Sequence, residues 1–130
     1  VVFVALVSLY VSDNETDASS SDNQKNELLK EMVKRINEQA PQTHPVTGVI
    51  LKGAMTTGNT LIYMYEVPED WYPTNEIKNE LIENFQEVQI SDMYYTNKIN
   101  VNFQYFKNGS LFKIVKVNYS EFSSNIDPYL

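Results

Sequence analysis

The chain has 130 residues, 42% hydrophobic and 21% charged, with 9 Tyr, 6 Phe and 1 Trp. That is the material of one domain with a real core, and it excludes a wholly disordered chain. Lys plus Arg number 10 against 17 Asp plus Glu, and the net charge of −7 disfavours binding to phosphate backbones; the lack of cysteine and the single histidine exclude disulfides, cysteine nucleophiles, thiolate metal sites and multi-histidine metal centres.

Val1 to Val11 reads VVFVALVSLYV, with no charge before Asp13. We expect the apolar part of an export signal or of a membrane anchor here. In helical form it would reach about 16 Å, short of the roughly 30 Å hydrocarbon core, so spanning would need residues upstream. The alternative is an element tucked into the domain. Ser12 to Asn23 carries Asp13, Glu15, Asp17 and Asp22 and no basic residue. It is expected to be an acidic, solvated linker with a reach of about 20 Å. Residues 24–130 then form a single α+β domain.

The first helix is predicted over about Gln24 to Ala40. Leu28, Met32, Val33 and Ile36 share a face, and Pro41 ends the run. Gly48 to Met55 and Thr60 to Val67 read as a strand pair joined by the turn Thr56-Thr57-Gly58-Asn59. A second helix is predicted over about Asn75 to Gln86, with Ile77, Leu81, Ile82 and Phe85 on its apolar face and Thr74 as N-cap. A second strand pair, Lys98 to Phe106 and Leu111 to Val117, surrounds Asn108-Gly109, a strong hairpin signal because both residues tolerate positive φ. The helix stripes recur at a spacing of 49 and the return strands GNTLIYMYEV and NGSLFKIVKV at a spacing of 50. The expected architecture is a duplicated α-β-β unit: a four-stranded antiparallel sheet with two helices on one face.

The chemical inventory is sparse. His44, in Pro41-Gln42-Thr43-His44-Pro45, has no neighbouring nucleophile or acidic pair to orient it and reads as a loop histidine. Glu66, Glu69 and Asp70 match no calcium-loop spacing. No Gly-rich phosphate loop, G-x-S-x-G or H-E-x-x-H occurs. The Pro-bounded loop Val67-Pro68-Glu69-Asp70-Trp71-Tyr72-Pro73 is the most distinctive segment. Its aromatics suit contact anchors, or Trp71 caps the open end of the core.

Taken in order, NELLKEMVKRINEQAP, GNTLIYMYEV, a second helix, SDMYY and INVNFQYFKNGSLFKI resemble small exported bacterial proteins, many of them lipoproteins or periplasmic proteins of unknown role. The resemblance covers roughly Asn26 to Val117. The architecture is also distantly similar to that of secretion-system pilotins, small lipoproteins that chaperone an outer-membrane pore. The resemblance implies a periplasmic or extracellular, membrane-associated location.

The sequence thus points to a non-enzymatic, exported or membrane-tethered interaction domain of the bacterial envelope. Its partner would be a protein of the envelope or of a membrane complex, with the membrane engaged through residues 1–11, no nucleic acid and no cofactor or metal. The binding surface is expected to include Trp71 and Tyr72 and a less covered sheet face around Tyr63, Tyr65 and Tyr105. Two other readings remain open. One is a small structural subunit of a larger membrane complex. The other is a hydrolase or ligand-binding enzyme with an open α+β cleft, which requires a deep pocket holding a Glu or Asp of raised pKa.

Overall fold

A computed structural model describes residues 21–87 and 91–125. In chain order it contains α1 (Ser21–Gln39), β1 (Gln42–Thr43), β2 (Ile50–Thr57), β3 (Thr60–Glu66), α2 (Ile77–Glu87), α3 (Ser91–Asn97), β4 (Asn100–Lys107), β5 (Ser110–Val117) and a closing 3-10 helix, Tyr119–Asn125. The apolar stretch Val1–Val11 and most of the expected linker lie outside the described residues. Helix α1 already begins at Ser21, inside the span read as linker.

Helix α1 buries Leu29, Met32 and Ile36, spaced i, i+3 and i+7. Leu28 and Val33 flank them half-buried, so the apolar stripe is turned by about one residue from the expected one. Its wet side carries the ion pairs Glu27–Lys30 and Glu31–Arg35. In α2 the expected set Ile77, Leu81, Ile82 and Phe85 is buried as a unit. The Thr74 hydroxyl accepts the Glu76 N–H at 3.1 Å, the expected N-cap contact.

The sheet has five strands in the order β1-β2-β3-β4-β5 and is mixed, which corrects the expectation of four antiparallel strands. Both hairpins are antiparallel, but β3 and β4 run parallel, with Leu61 beside Val101, Tyr63 beside Phe103 and Tyr65 beside Tyr105. The reason lies in the connection. Two hairpin strands reverse direction, whereas a strand followed by helices that return along the sheet re-enters it in the same direction. Helices α2 and α3 make that return between β3 and β4. The extra strand β1 pairs Gln42 with Leu51 and Thr43 with Ile50. The two halves are also unequal, because α1 is one helix of 19 residues and its counterpart is two shorter ones.

One buried cluster joins Leu29, Met32 and Ile36 of α1, the α2 set, Tyr94 of α3 and the inward side chains of the sheet, among them Leu51, Leu61, Tyr63, Tyr65, Val101, Phe103 and Tyr105. Each large apolar side chain so enclosed stabilises the fold by about 1.5–3 kcal/mol. The helices therefore cover the sheet face that carries Leu61, Tyr63, Tyr65 and Val67. Phe122 of the closing 3-10 helix stacks on Phe85 and on Tyr94, both at 5.4 Å, and seals the layer.

Helix α1 is tied to the sheet by a polar clamp. Asn37 Oδ1 accepts the Ala54 N–H at 2.8 Å and its Nδ2 donates to the Ala54 carbonyl at 3.2 Å. This happens where β2 bulges between Leu51 and Gly53. A Cβ at Gly53 would stand 2.7 Å from Asn37 Oδ1, so a side chain there would push the Asn37 amide away from Ala54.

Candidate functional site

The loop after β3 is fastened to the tip of the β4–β5 hairpin. The Val67 N–H donates to the Phe106 carbonyl at 2.8 Å, prolonging the parallel ladder, and the Trp71 N–H turns back to the Pro68 carbonyl at 3.0 Å. At the tip, Asn108 and Gly109 adopt positive φ of 52° and 80°, as the Asn-Gly signal requires. Asn108 Nδ2 donates to the Glu69 carboxylate at 2.8 Å, and Lys107 Nζ donates to the Glu69 carbonyl at 2.9 Å.

These ties assemble an aromatic and cationic end of the molecule. The Lys107 ammonium sits 3.7 Å from the Tyr72 ring centroid and 4.0 Å from that of Phe112. Tyr72 meets Phe112 edge to face at 5.7 Å, and Trp71 meets it edge to face at 6.4 Å. On its other side Trp71 stacks on Tyr105 at 4.9 Å, which stacks on Tyr65 at 5.1 Å. A file of rings thus runs from the surface into the core. Tyr72 is 70% exposed, Leu111 50% and Phe112 40%, while Trp71 is half-buried.

The residues proposed from sequence therefore separate. Trp71 and Tyr72 are together at this end. Tyr63, Tyr65 and Tyr105 are buried beneath the helices, at 1%, 0% and 3% exposure, and no partner can touch them without opening the core. The expectation of a less covered face around them is corrected. The alternation along β3 leaves both faces apolar, and the helices took the one bearing the tyrosines. Lys107, Leu111 and Phe112 were missed. Phe112 falls where the β4–β5 register shifts, beside Tyr105 and Phe106, and strict alternation gives no sign of such a bulge.

The other candidates resolve into structural roles. His44 Nδ1 accepts the N–H groups of Val46 at 3.1 Å and Thr47 at 3.2 Å, organising the turn into β2. Glu66 faces Lys52 at 3.6 Å, and Glu69 faces Asn108. Glu66 and Glu69 thus point to separate partners, and no described group of three His, Cys, Asp or Glu could hold a metal.

Two open grooves flank β5. One, of about 510 Å³, lies between β5 and the start of α2 and is lined by Pro73, Thr74, Lys78, Lys113, Ile114 and Lys116 among others. The second, of about 400 Å³, is lined by polar groups including Asn100, Asn102, Asn118 and Glu121. Burial alone would raise the Glu121 pKa, but hydrogen bonds from Lys78 and the Asn118 N–H, together with the Lys78 charge, outweigh it and lower it. The Arg35 hydrogen bond lowers that of Glu31. The raised groups are core phenols: burial pushes Tyr63 up to about 12 despite its hydrogen bond with Tyr94, and raises Tyr65, Tyr94 and Tyr105 as well. Such shifts follow from enclosure in an apolar layer and do not mark an open cleft.

No protein-family model matches the chain, and no curated protein sequence does. Solved structures do match in shape. The pilotin EpsS of the Vibrio vulnificus type II secretion system superposes with a TM-score of 0.67 at 11% identity, over 78% of this chain and 94% of that one. The type II secretion pilotin AspS of Vibrio cholerae gives 0.60 at 14% identity, over 77% and 94%. The fold is pilotin-like. A Pseudomonas aeruginosa protein described as secreted shares it, with a TM-score of 0.53 at 13% identity over 82% of this chain and 99% of that one. At these identities the likeness establishes the architecture and leaves function to the surface.

Proposed function

We propose that this chain is a non-enzymatic, exported interaction domain that binds a protein partner in the cell envelope. The observation that carries the reading is the exposed Tyr72–Phe112–Lys107 cluster, anchored to the core through Trp71 and Tyr105. Aromatic side chains held in place by packing lose little entropy on binding, and this cluster presents them on a preorganised support. The pilotin-like fold supports the same role. On that analogy the finer form of the proposal is a partner belonging to a secretion-system outer-membrane pore, with tethering to the membrane through Val1–Val11. The grooves are open, and the raised pKa values belong to enclosed phenols, which weighs against the hydrolase reading. No described helix is long and apolar enough to cross a membrane.

The test is capture from detergent-solubilised envelope of the native cells, comparing the wild-type chain with Tyr72→Ala and Phe112→Ala. The proposal expects one defined protein to be retained by the wild type and lost with either variant. Retention of no protein, or turnover of a small molecule by the purified chain, would overturn it.

A further inference from the structure

The two edges of the sheet are finished differently. At one edge the two-residue β1 pairs with the start of β2. At the other, β5 offers eight residues, and no described strand pairs with its outer side. An open strand edge is a row of backbone donors and acceptors ready to receive another strand.

This edge also has its own charge. The whole chain is at −7, yet the groove between β5 and α2 is lined by Lys78, Lys113 and Lys116 and by no acidic residue, while Lys116 also borders the second groove, which holds Glu121. Lys78 is shared with Glu121 at 2.8 Å, whereas Lys113 and Lys116 take part in no described ion pair. Lysines on an edge strand oppose pairing with a second copy, because like charges would face one another. The same lysines favour a strand of opposite sign. Between them Ile114 is 37% exposed, and Phe112 and Leu111 continue the strand toward the aromatic end.

We infer that β5 is the docking edge for an extended acidic segment of the protein partner, added antiparallel or parallel as a sixth strand. Backbone hydrogen bonds supply the pairing; Lys113 and Lys116 lie on opposite faces of β5 and attract acidic side chains on both faces of the added strand, while Ile114, on the face of Lys116, receives an apolar one. The inference rests on the proposed interaction role and names the partner's chemistry.

The probe is an end-blocked ten-residue peptide of Val and Glu with the Glu residues three apart, so that acidic side chains fall on both faces of the strand. It is compared with a Val–Lys counterpart and with a Val–Glu peptide N-methylated at alternate residues. Binding to the full chain is followed by titration and by amide hydrogen exchange. The expected result is slowed exchange of amides between Ser110 and Val117. Binding should weaken at least tenfold with the Val–Lys peptide, with N-methylation, and with K113E/K116E. Equal binding of the Val–Lys peptide, indifference to N-methylation, or protection elsewhere would overturn the inference. So would protection of the same amides by self-association without peptide, or lysine-dependent binding to phosphatidylglycerol vesicles with no response to the peptide. If K113E/K116E fails to fold, the three peptides on the wild-type chain still decide. Envelope capture that needs Tyr72 but ignores K113E/K116E removes this docking edge and leaves the interaction role standing; a chain that captures no protein removes the role whatever the peptide does.

Discussion

Trp71 stacks on Tyr105, with ring centroids 4.9 Å apart and planes inclined by 23°. One ring is half-buried and belongs to a loop; the other is buried and belongs to the parallel strand pair. The contact joins the part of the molecule that faces outward to the part that holds it together. It also divides the labour in the loop, with Trp71 packing inward and Tyr72 pointing out.

Trp71→Ala should therefore lower stability by about 2 kcal/mol, less than a fully enclosed aromatic because Trp71 is only half-buried. Tyr72→Ala should leave stability within about 0.5 kcal/mol of wild type and still abolish partner capture. Denaturant unfolding of both variants, run beside the capture assay, checks the division. Equal destabilisation by the two would refute it.

The Asn37 clamp predicts coupling. Asn37→Ala leaves the Ala54 N–H and carbonyl unsatisfied and should cost about 1–3 kcal/mol. Gly53→Ala drives a methyl group against Asn37 Oδ1 and should cost a similar amount. Combining them removes the collision, so the double variant should be more stable than the sum of the singles implies. Strict additivity in thermal unfolding would contradict the geometry.

The hydroxyls of Tyr63 and Tyr94 lie 3.1 Å apart in the core, and either can donate. Tyr63→Phe or Tyr94→Phe alone should cost about 1–2 kcal/mol, because the remaining hydroxyl loses its partner while buried. Replacing both should recover most of that loss. A double variant as unstable as the sum of the singles would count against the pairing.

Alkaline pH tests the same layer. Burial raises the Tyr63 pKa to about 12 and raises Tyr65, Tyr94 and Tyr105 too. A phenol with a raised folded-state pKa binds its proton more tightly in the folded state. Its contribution is complete below the unfolded value of about 10 and is lost as pH climbs through the folded value. Stability should thus fall above pH 10, at about 1.4 kcal/mol per pH unit for each such tyrosine while it remains protonated only in the folded state. Tyrosinate absorbance from these rings should appear together with loss of the circular dichroism of the fold. Their ionisation near pH 10 in an intact fold would show that they are not enclosed.

Local signals in the sequence were strong where one residue type has one physical use. Asn108-Gly109 marked its turn because positive φ is costly for most side chains, and Ile77, Leu81, Ile82 and Phe85 marked a helix face by their spacing. Helix α3 escaped notice because seven residues with only Ser91 and Tyr94 buried carry no usable period. The direction of β4 against β3 depends on how helices cross the sheet, which strand alternation does not encode. The same alternation grouped Leu61, Tyr63, Tyr65 and Val67 on one face but left open which face the helices would cover. Of the surface cluster, Trp71 and Tyr72 were visible as aromatics in a stiff loop. Lys107 and Phe112 join them only through the hairpin register and its bulge.

The most direct test of the interaction role is site-specific photo-crosslinking in the native cells. A photoreactive residue is placed at position 72, at position 112, or at position 30 on the wet side of α1. The account predicts a single protein adduct from positions 72 and 112, and none from position 30. Adducts of equal yield from all three, or no protein adduct from 72 and 112, would contradict it.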